Sequence, residues 1–336
     1  MKKYACVVVL MLIVIIIQSA YIDSEPKNKA ELGKLLFFDK VLSRDRSISC
    51  SSCHQEQFAF SDTSIVSTGV SGRKGKRNSP SAMNMKLQSH FFWDGRAATL
   101  EEQALIPIEN PDEMDLPVDS AVARLKSMPF YRASFQKLFG AEPDKSNLAI
   151  ALSEFEKTLE TNDSPLDDWR LNDNQEAVSE SAKRGFKLFN GKGNCVQCHF
   201  GADFRNAEFR NIGLFDGKTL ADSGRAAITK NPADLGKFNV GSLRNVALTA
   251  PYMHNGMFKT LKQVIEYYDN PDKVVAGSIN RDPLLSKPLN LTEQEKTDLE
   301  SFLVSLTDRR FNKPLVVKQI ITAVSKGGNP ASNKSN

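Results

Sequence analysis

Apolar residues recur at intervals of three and four along much of the chain, the spacing that places them on one face of a helix. Two such stripes are Leu148, Leu152, Phe155 and Leu159, and Leu299, Phe302, Leu303 and Leu306. Thr292 precedes the second stripe and Glu295 follows three residues later, which is the capping box that opens a helix. Strand-like alternation is scarce, so the pattern predicts a mainly α fold.

The chain divides into two related halves. Residues 33–38 (GKLLFF) and 185–189 (GFKLF) are apolar helical stretches that each begin with glycine, and this likeness predicts a diverged duplication. Two unrelated amphipathic helices would show the same local pattern. Residues 161–180 are rich in Asp, Asn, Ser and Pro, which favours a boundary there. We predict domains at 23–168 and 169–313, followed by a disordered tail at 314–336.

The N-terminus has the order of an export signal. Lys2 and Lys3 precede an apolar run at 5–17 and then a short segment ending at Ala20, which predicts a signal peptide at 1–22. Gln18 stands three positions before a cut after Ala20, where a small residue is usual, so an uncleaved N-terminal anchor is the alternative. In both interpretations the rest of the protein is exported, so we predict a periplasmic location.

The charge balance argues against a nucleic-acid partner. The 336 residues include 44 Lys and Arg against 40 Asp and Glu, a formal net charge of +4, without a long basic run. Nucleic-acid-binding proteins usually carry a strong basic patch or stripe. Hydrophobic residues make up 40% of the chain and charged residues 25%, as in an ordinary globular protein large enough to bury a core.

The candidate chemistry lies in two copies of the motif Cys-x-x-Cys-His. They are Cys50, Cys53 and His54, and Cys195, Cys198 and His199. This motif attaches c-type haem: the thiols bond to the porphyrin and the histidine becomes the proximal iron ligand. A redox disulfide or half of a zinc site would also use Cys-x-x-Cys, but neither requires the histidine. The fifth cysteine, Cys6, lies in the predicted signal, so the mature chain is expected to carry two covalent haems.

The reactivity of each iron depends on the ligand opposite its proximal histidine. An electron carrier closes that position with His or Met, whereas a peroxidase leaves it open beside an acid/base group. The chain has two further histidines, His90 and His254. The residues alone therefore leave two interpretations, an enzyme and a dihaem electron carrier in which His90 closes haem one.

Further segments resemble the bacterial dihaem cytochrome c peroxidase and MauG superfamily. They are ELGKLLFFD at 31–39, FWDGR at 92–96, EQA at 102–104, NPDEM at 110–114 and LRNVALTAPYMHNG at 243–256. With both haem motifs they cover nearly all of the mature chain. The resemblance implies two mostly helical cytochrome c-like haem domains in tandem, a calcium ion between them, and reaction with hydrogen peroxide.

The resemblance also implies roles for single residues. Haem one, on His54, would react with peroxide, with Gln103 and Glu113 in its distal pocket and Glu113 as general acid/base. Trp93 would lie between the haems and relay electrons. The alternatives are an exposed glutamate at a helix end and an ordinary core tryptophan.

Three positions match the calcium ligands of the family. They are the side chain of Asn78 and the backbone carbonyls of Thr249 and Pro251, oxygen ligands of the kind that calcium prefers. Arg244 is similar to a residue near the haem propionates, where its guanidinium suits a carboxylate. For His254 a structural role is favoured over iron ligation.

The loop at 68–77 departs from the cytochrome c peroxidases. They place there a histidine that caps haem one until haem two is reduced, and this loop has none. Haem one is therefore expected to be open in the resting protein. The basic residues Arg73, Lys74, Lys76 and Arg77 are interpreted as a solvated surface, with docking of an acidic partner as the alternative.

A second departure concerns haem two. Where the peroxidases place a methionine after the Tyr-x-His-x-Gly motif, this chain has Tyr268, and MauG-type proteins are similar in using tyrosine. An anionic phenolate stabilises the higher oxidation states of iron, whereas methionine raises the potential. Tyr267, Met253 and Met257 are rival ligands, and a packed, non-ligating Tyr268 is the remaining alternative.

These observations favour a MauG-like enzyme that reduces hydrogen peroxide at an open haem and draws electrons through the second haem from a protein or small donor. The alternative enzyme is a cytochrome c peroxidase that makes water with electrons from a small c-type cytochrome or a cupredoxin. The non-enzyme alternative is the dihaem electron carrier. Dimerisation is common among the peroxidases, so a homodimer is compatible with the resemblance.

Overall fold

The computed structural model describes residues 25–312, so the predicted signal peptide and tail lie outside the described residues. The described chain is mainly helical, which confirms the predicted fold class. The sheet within these residues is a short antiparallel pair, β1 (Phe209–Arg210) and β2 (Phe238–Asn239). In the same part of the chain, no helix combines the length and apolarity needed to cross a membrane.

The helices fall into two sequential groups. In the first half they are α1 (Lys29–Phe38), α2 (Leu100–Glu109), α3 (Val118–Ser127), α4 (Pro129–Phe139) and α5 (Lys145–Glu156). In the second half they are α6 (Pro165–Leu171), α7 (Glu180–Asn190), α8 (Ala226–Thr229), α9 (Leu261–Asp269) and α10 (Glu293–Val304). Thr292 caps α10 and Glu295 completes the box, as the sequence predicts.

Two helix pairs repeat the same packing. In the first half α1 crosses α5 at Gly33, where an added Cβ would stand 1.8 Å from the carbonyl oxygen of Ala151. In the second half α7 crosses α10 at Gly185, and an added Cβ would stand 1.9 Å from the carbonyl oxygen of Asp298. Each glycine is required because two backbones touch there. The matching contacts give the predicted duplication a structural basis.

Each half has its own hydrophobic core. The first core is built from α1 to α5 around Leu32, Phe37 and Phe155, and the second around Phe189, Phe302 and Leu306. Two buried cores within one chain agree with two cytochrome c-like domains. The division at residue 168 stays a prediction.

The segment at 77–96 joins the halves. The amide of Asn78 donates to the carbonyl of His254 at 2.7 Å, and the amide of Asn239 donates to the carbonyl of Trp93 at 2.8 Å. Arg225 Nη1 also donates to the carbonyls of Asp94 and Gly95. Backbone bonds across the interface fix this segment, and the predicted relay residue with it, against the second half.

Candidate functional site

A cavity of about 1030 Å³ is lined by residues of both halves. It brings together every site residue that the sequence predicts: Cys50, Cys53, His54, Asn78, Trp93, Gln103, Glu113, Cys195, Cys198, His199, Arg244, Thr249, Pro251 and Tyr268. Its volume is at the upper end of the roughly 300–1,000 Å³ usual for pockets that hold one small ligand. The cavity therefore has room for a large cofactor group.

Each haem motif begins with a short 3-10 turn, Cys50–Ser52 in the first half and Cys195–Gln197 in the second. The amide of the motif histidine donates back to the carbonyl of the first cysteine, at 3.0 Å for His54 and 2.9 Å for His199. The turn thus keeps the two thiols and the imidazole of each motif together on the cavity wall.

Backbone carbonyls orient both imidazoles. His54 Nδ1 lies 3.1 Å from the carbonyl oxygen of Phe60, and His199 Nδ1 lies 3.0 Å from that of Phe204. Because a carbonyl only accepts, Nδ1 carries the proton and Nε2 is left to bind a metal. Burial lowers the pKa of both histidines and keeps the rings neutral. Both therefore fit the role of proximal iron ligand.

The motif cysteines fit covalent haem better than redox or zinc chemistry. Burial raises the pKa of Cys50 to about 12, that of Cys53 to about 11 and that of Cys195 to about 12. Redox-active and metal-binding cysteines instead need a lowered pKa or a metal that stabilises the thiolate. Among the described residues, no cluster of three or more His, Cys, Asp or Glu side chains is placed to hold a metal ion.

Two further polar side chains lie on the cavity wall, and one of them, Glu113, is close to the first haem motif. Glu113 accepts a 2.7 Å hydrogen bond from Asn110 Nδ2, and its negative charge contributes to the raised pKa of Cys50 and Cys53. Burial raises the pKa of Glu113 itself. Gln103 Oε1 is buried without a hydrogen-bond partner in the described part of the chain. A carboxylate and an unpaired amide oxygen in one cavity suit a small hydrogen-bonding substrate.

The loop at 68–77 packs against the segment that carries Glu113. The amide of Val70 donates to the carbonyl of Glu113 at 2.9 Å, and a Cβ on Gly69 would stand 2.2 Å from the carbonyl oxygen of Asp112. Gly69 itself lines the cavity. Gly75, Lys76 and Arg77 of the loop line the cavity as well.

The interpretation of this loop as a solvated basic surface is wrong for Arg77. Its side chain is 17% exposed and forms ion pairs with Asp94 at 2.6 Å and with Asp222 at 2.7 Å. Arg73 pairs with Asp115. Asp222 lies in the second half, so Arg77 links the two halves beside the cavity.

Trp93 lies in an aromatic cluster at the junction of the halves. Its indole Nε1 donates to the carbonyl of Asn78 at 2.8 Å, and its ring meets that of His254 edge-on at 6.4 Å. His254 stacks on Phe238 at 3.7 Å, and burial lowers its pKa to about 4. Trp93, His254 and Phe238 all line the cavity.

The candidate ligands of haem two differ in their surroundings. Tyr267 is fully buried and donates from its hydroxyl to the carbonyl of Ile212 at 2.6 Å. Tyr268 lines the cavity beside Cys195 and Cys198, and burial raises its pKa. Met253 also lines the cavity, whereas Met257 is not among the lining residues. Of the four candidate ligands, Tyr268 and Met253 are the two that line the cavity.

The remaining predicted residues are placed as follows. Arg244 lines the cavity, and its guanidinium is paired with Asp167 at 2.8 Å. His90 is not among the lining residues, and its ring contacts Phe209 edge-on at 5.6 Å. This position disfavours the electron carrier in which His90 closes haem one.

Glu156 is a lining residue that the sequence reasoning missed. It is the last residue of α5 and is 7% exposed. The sequence does contain a signal for it. Glu156 stands four residues after Leu152, on the apolar stripe of that helix, where a charged side chain is unexpected.

Comparisons with known proteins identify the family of this chain. Residues 27–176 match the family model described as di-haem cytochrome c peroxidase. The methylamine utilization protein MauG of Methylorubrum extorquens is 38% identical over 284 residues, covering 83% of this chain and 78% of that protein. Cytochrome c551 peroxidase of Nitrosomonas europaea is 40% identical over 249 residues, covering 73% of this chain and 74% of that protein.

A solved structure agrees as well. A MauG-like protein associated with microbial copper homeostasis has a TM-score of 0.76 and 33% identity, covering 86% of this chain and 92% of its own. The chain belongs to the di-haem cytochrome c peroxidase family. It is a peroxidase-type oxidoreductase with two c-type haems, and it uses hydrogen peroxide with an electron donor or a protein substrate.

Proposed function

We propose that this protein is a MauG-like enzyme whose haem one, on His54, reacts with hydrogen peroxide in the fully ferric resting state and whose oxidising equivalents are used on a protein or small donor. Bound haem supplies the iron that binds peroxide and accepts electrons. The residues of this chain would transfer protons, provide an electron path between the haems and ligate the second iron.

Glu113 is the proposed acid/base group. Its carboxylate takes a proton from bound peroxide and returns it to the distal oxygen as the O–O bond breaks. A raised pKa suits this double role, because the group must both accept and release a proton near neutral pH. Asn110 fixes the carboxylate, and the unpaired Oε1 of Gln103 offers an acceptor that orients the peroxide hydrogen.

Trp93 and Tyr268 serve the second haem in this proposal. Trp93 lies at the junction of the halves, where an aromatic ring shortens the path for an electron. Tyr268 would provide a phenolate oxygen to the iron held by His199, and such a ligand would stabilise the higher oxidation states of that iron. Met253 in that position would favour a cytochrome c peroxidase instead.

One observation favours the MauG-like enzyme over the cytochrome c peroxidase. The loop at 68–77 lines the cavity with Gly69, Gly75, Lys76 and Arg77 and contains no histidine. Within residues 25–312, the histidines that line the cavity are His54, His199 and His254, and the ring of His254 is stacked on Phe238. We infer that no imidazole caps haem one at rest.

A calcium ion between the halves is part of the proposal. The side chain of Asn78 and the backbone carbonyls of Thr249 and Pro251 would provide hard oxygen ligands. All three residues line the cavity. Arg244 already donates to Asp167, Ser164 and the carbonyl of Ala202, and its one remaining N–H would reach a haem propionate.

The setting of the enzyme is proposed from family and sequence. The family is typically periplasmic, and the N-terminal signal at 1–22 would bring the chain there, either cleaved or kept as an anchor. A small c-type cytochrome or a cupredoxin would be a suitable donor, and the enzyme would act as a monomer or a homodimer.

Donor oxidation with and without prior reduction tests the proposal. We expect the fully ferric holoprotein to oxidise a small chromogenic donor with peroxide as fast as protein given one electron beforehand. Activity that requires the electron would support the cytochrome c peroxidase alternative. Absence of activity in both states would support the electron carrier.

A further inference from the structure

Glu156 is a carboxyl on the cavity wall to which the reaction described above gives no role. It is 7% exposed, and its side chain has no hydrogen bond or ion pair within residues 25–312. It lies beside the first haem motif, because its charge is the largest electrostatic contribution to the raised pKa of Cys50 after burial. A buried, unpaired carboxyl is costly, so its presence calls for a role.

The duplicated half provides an internal comparison. Gly33 contacts Ala151 and Phe155, and Gly185 makes the same contacts with Asp298 and Phe302. The residue after each phenylalanine is therefore equivalent: Glu156 in the first half and Leu303 in the second. Both line the cavity and both are buried. The carboxyl is thus a feature of haem one that the fold itself does not require.

The surroundings of Glu156 contain little positive charge. Burial and the negative charge of Glu101 on α2 raise its pKa to about 8. Glu101 is bonded to Ser153 and Lys157, and its Lys157 contact is 2.8 Å. On the other packed elements, the charged side chains of α1 are exposed and Arg124 of α3 donates to backbone carbonyls. Cys50, whose thiol becomes a neutral thioether with haem, is a further titratable neighbour, and Glu113 is a second carboxyl close to that thiol.

We propose that Glu156 is the proton-binding group of haem one, so that one solvent proton binds its carboxylate when one electron from the donor reduces that haem. The reverse change releases the proton. This inference rests on the assignment of haem one to His54, which belongs to the function proposed above.

The direction follows from electrostatics. Ferric haem carries one more positive charge than ferrous haem and favours the ionised carboxylate, so the pKa of Glu156 is higher in the reduced state. Between the two pKa values, reduction takes up a proton and the potential falls as pH rises. Outside that interval the potential of haem one is independent of Glu156.

Spectroelectrochemical titration of the holoprotein, without peroxide, tests this coupling. We expect the potential of haem one to fall as pH rises. The largest slope is a tenfold change in the reduction equilibrium per pH unit, which corresponds to about 59 mV for a one-electron couple. Glu156→Gln should remove that slope and leave haem two unchanged. Leu303→Glu, the matched variant, should give haem two a slope that it lacks.

A wild-type slope retained in Glu156→Gln would overturn the proposal. If that variant fails to incorporate haem, the infrared difference spectrum of Glu113→Gln holoprotein on reduction decides: gain of a protonated carboxyl band supports the coupling, and its absence refutes it. No peroxide is used, so a negative result does not test the role of Glu113 in the peroxide reaction. Equally, a protein that fails to react with peroxide can still be titrated, so the two proposals fail independently.

Discussion

The side-chain amide of Asn110 donates a 2.7 Å hydrogen bond to the carboxylate of Glu113. This bond lowers the pKa of Glu113, but burial outweighs it and the net shift is upward. The carboxylate is therefore fixed in position while its affinity for a proton is increased. Such a group can exchange a proton with a substrate at a higher pH than an ordinary glutamate does.

Replacing Glu113 by Gln should slow the reaction of peroxide with ferric haem one by roughly 10²- to 10⁴-fold, the usual contribution of a positioned acid/base group. Glu109→Gln is the control, because Glu109 is exposed on α2. The wild-type rate should fall with decreasing pH as Glu113 becomes protonated, at a pH above the ordinary pKa of glutamate. Rapid-mixing absorbance over a pH series measures both effects. A variant as fast as the wild type would remove Glu113 from the mechanism.

Tyr268→Phe should change the absorption and magnetic resonance spectra of haem two, because the iron would lose a phenolate ligand. Tyr267→Phe is the matched control: it loses the hydrogen bond to the carbonyl of Ile212 but should leave the spectra of haem two unchanged. Tyr268→Met should raise the haem-two potential. Spectra that respond to Tyr267→Phe and not to Tyr268→Phe would contradict the assignment.

Arg77→Met should destabilise the protein by about 1–3 kcal/mol, because half-buried Asp222 loses its cation while Asp94 keeps its ion pair with Arg96. Burial disfavours ionisation of Asp222, but the bonds from Arg77 and the Gly224 amide outweigh it and lower the pKa of Asp222. This stabilisation is present above the ordinary pKa of aspartate and is lost as pH falls through the lowered value. Thermal unfolding should therefore show a difference between wild type and variant that shrinks in acid.

Lys74→Met is the control for Arg77, since Lys74 is exposed in the same loop. A surface change of this kind usually alters stability by less than about 0.5 kcal/mol. Equal effects of the two substitutions would show that the ion pairs of Arg77 do not hold the halves together.

Gly33→Ala and Gly185→Ala should each destabilise their own half by about 1–3 kcal/mol or more, because the added methyl would stand within 2 Å of a backbone carbonyl oxygen. Gly75→Ala is the control, because its nearest neighbour would be 3.7 Å away. Chemical denaturation of the holoprotein measures the difference. If the helix variants were as stable as the control, the close crossings would not be essential to packing.

Much of the fold could be predicted because its signals are local. The stripe ending at Leu306 and the cap at Thr292 depend on neighbours within one helix, and both predicted the correct element. The haem residues were found for the same reason, since each Cys-x-x-Cys-His motif is a single turn.

The errors and omissions depend on distant partners. The sequence pattern predicts a solvated Arg77, because its partner Asp222 is 145 residues away in the chain and only the folded structure brings the two side chains together. The sequence shows Glu156 on an apolar stripe, but its equivalence to Leu303 follows only from the two matching helix crossings. Local pattern does not report such pairings.

Stopped-flow absorbance after mixing peroxide with the fully ferric protein, with no reductant present, tests the central claim most directly. We expect a fast change in the Soret band, because no histidine of the loop at 68–77 caps haem one. A ferric protein that stays silent until it receives one electron would contradict the claim and indicate a capped haem that opens on reduction.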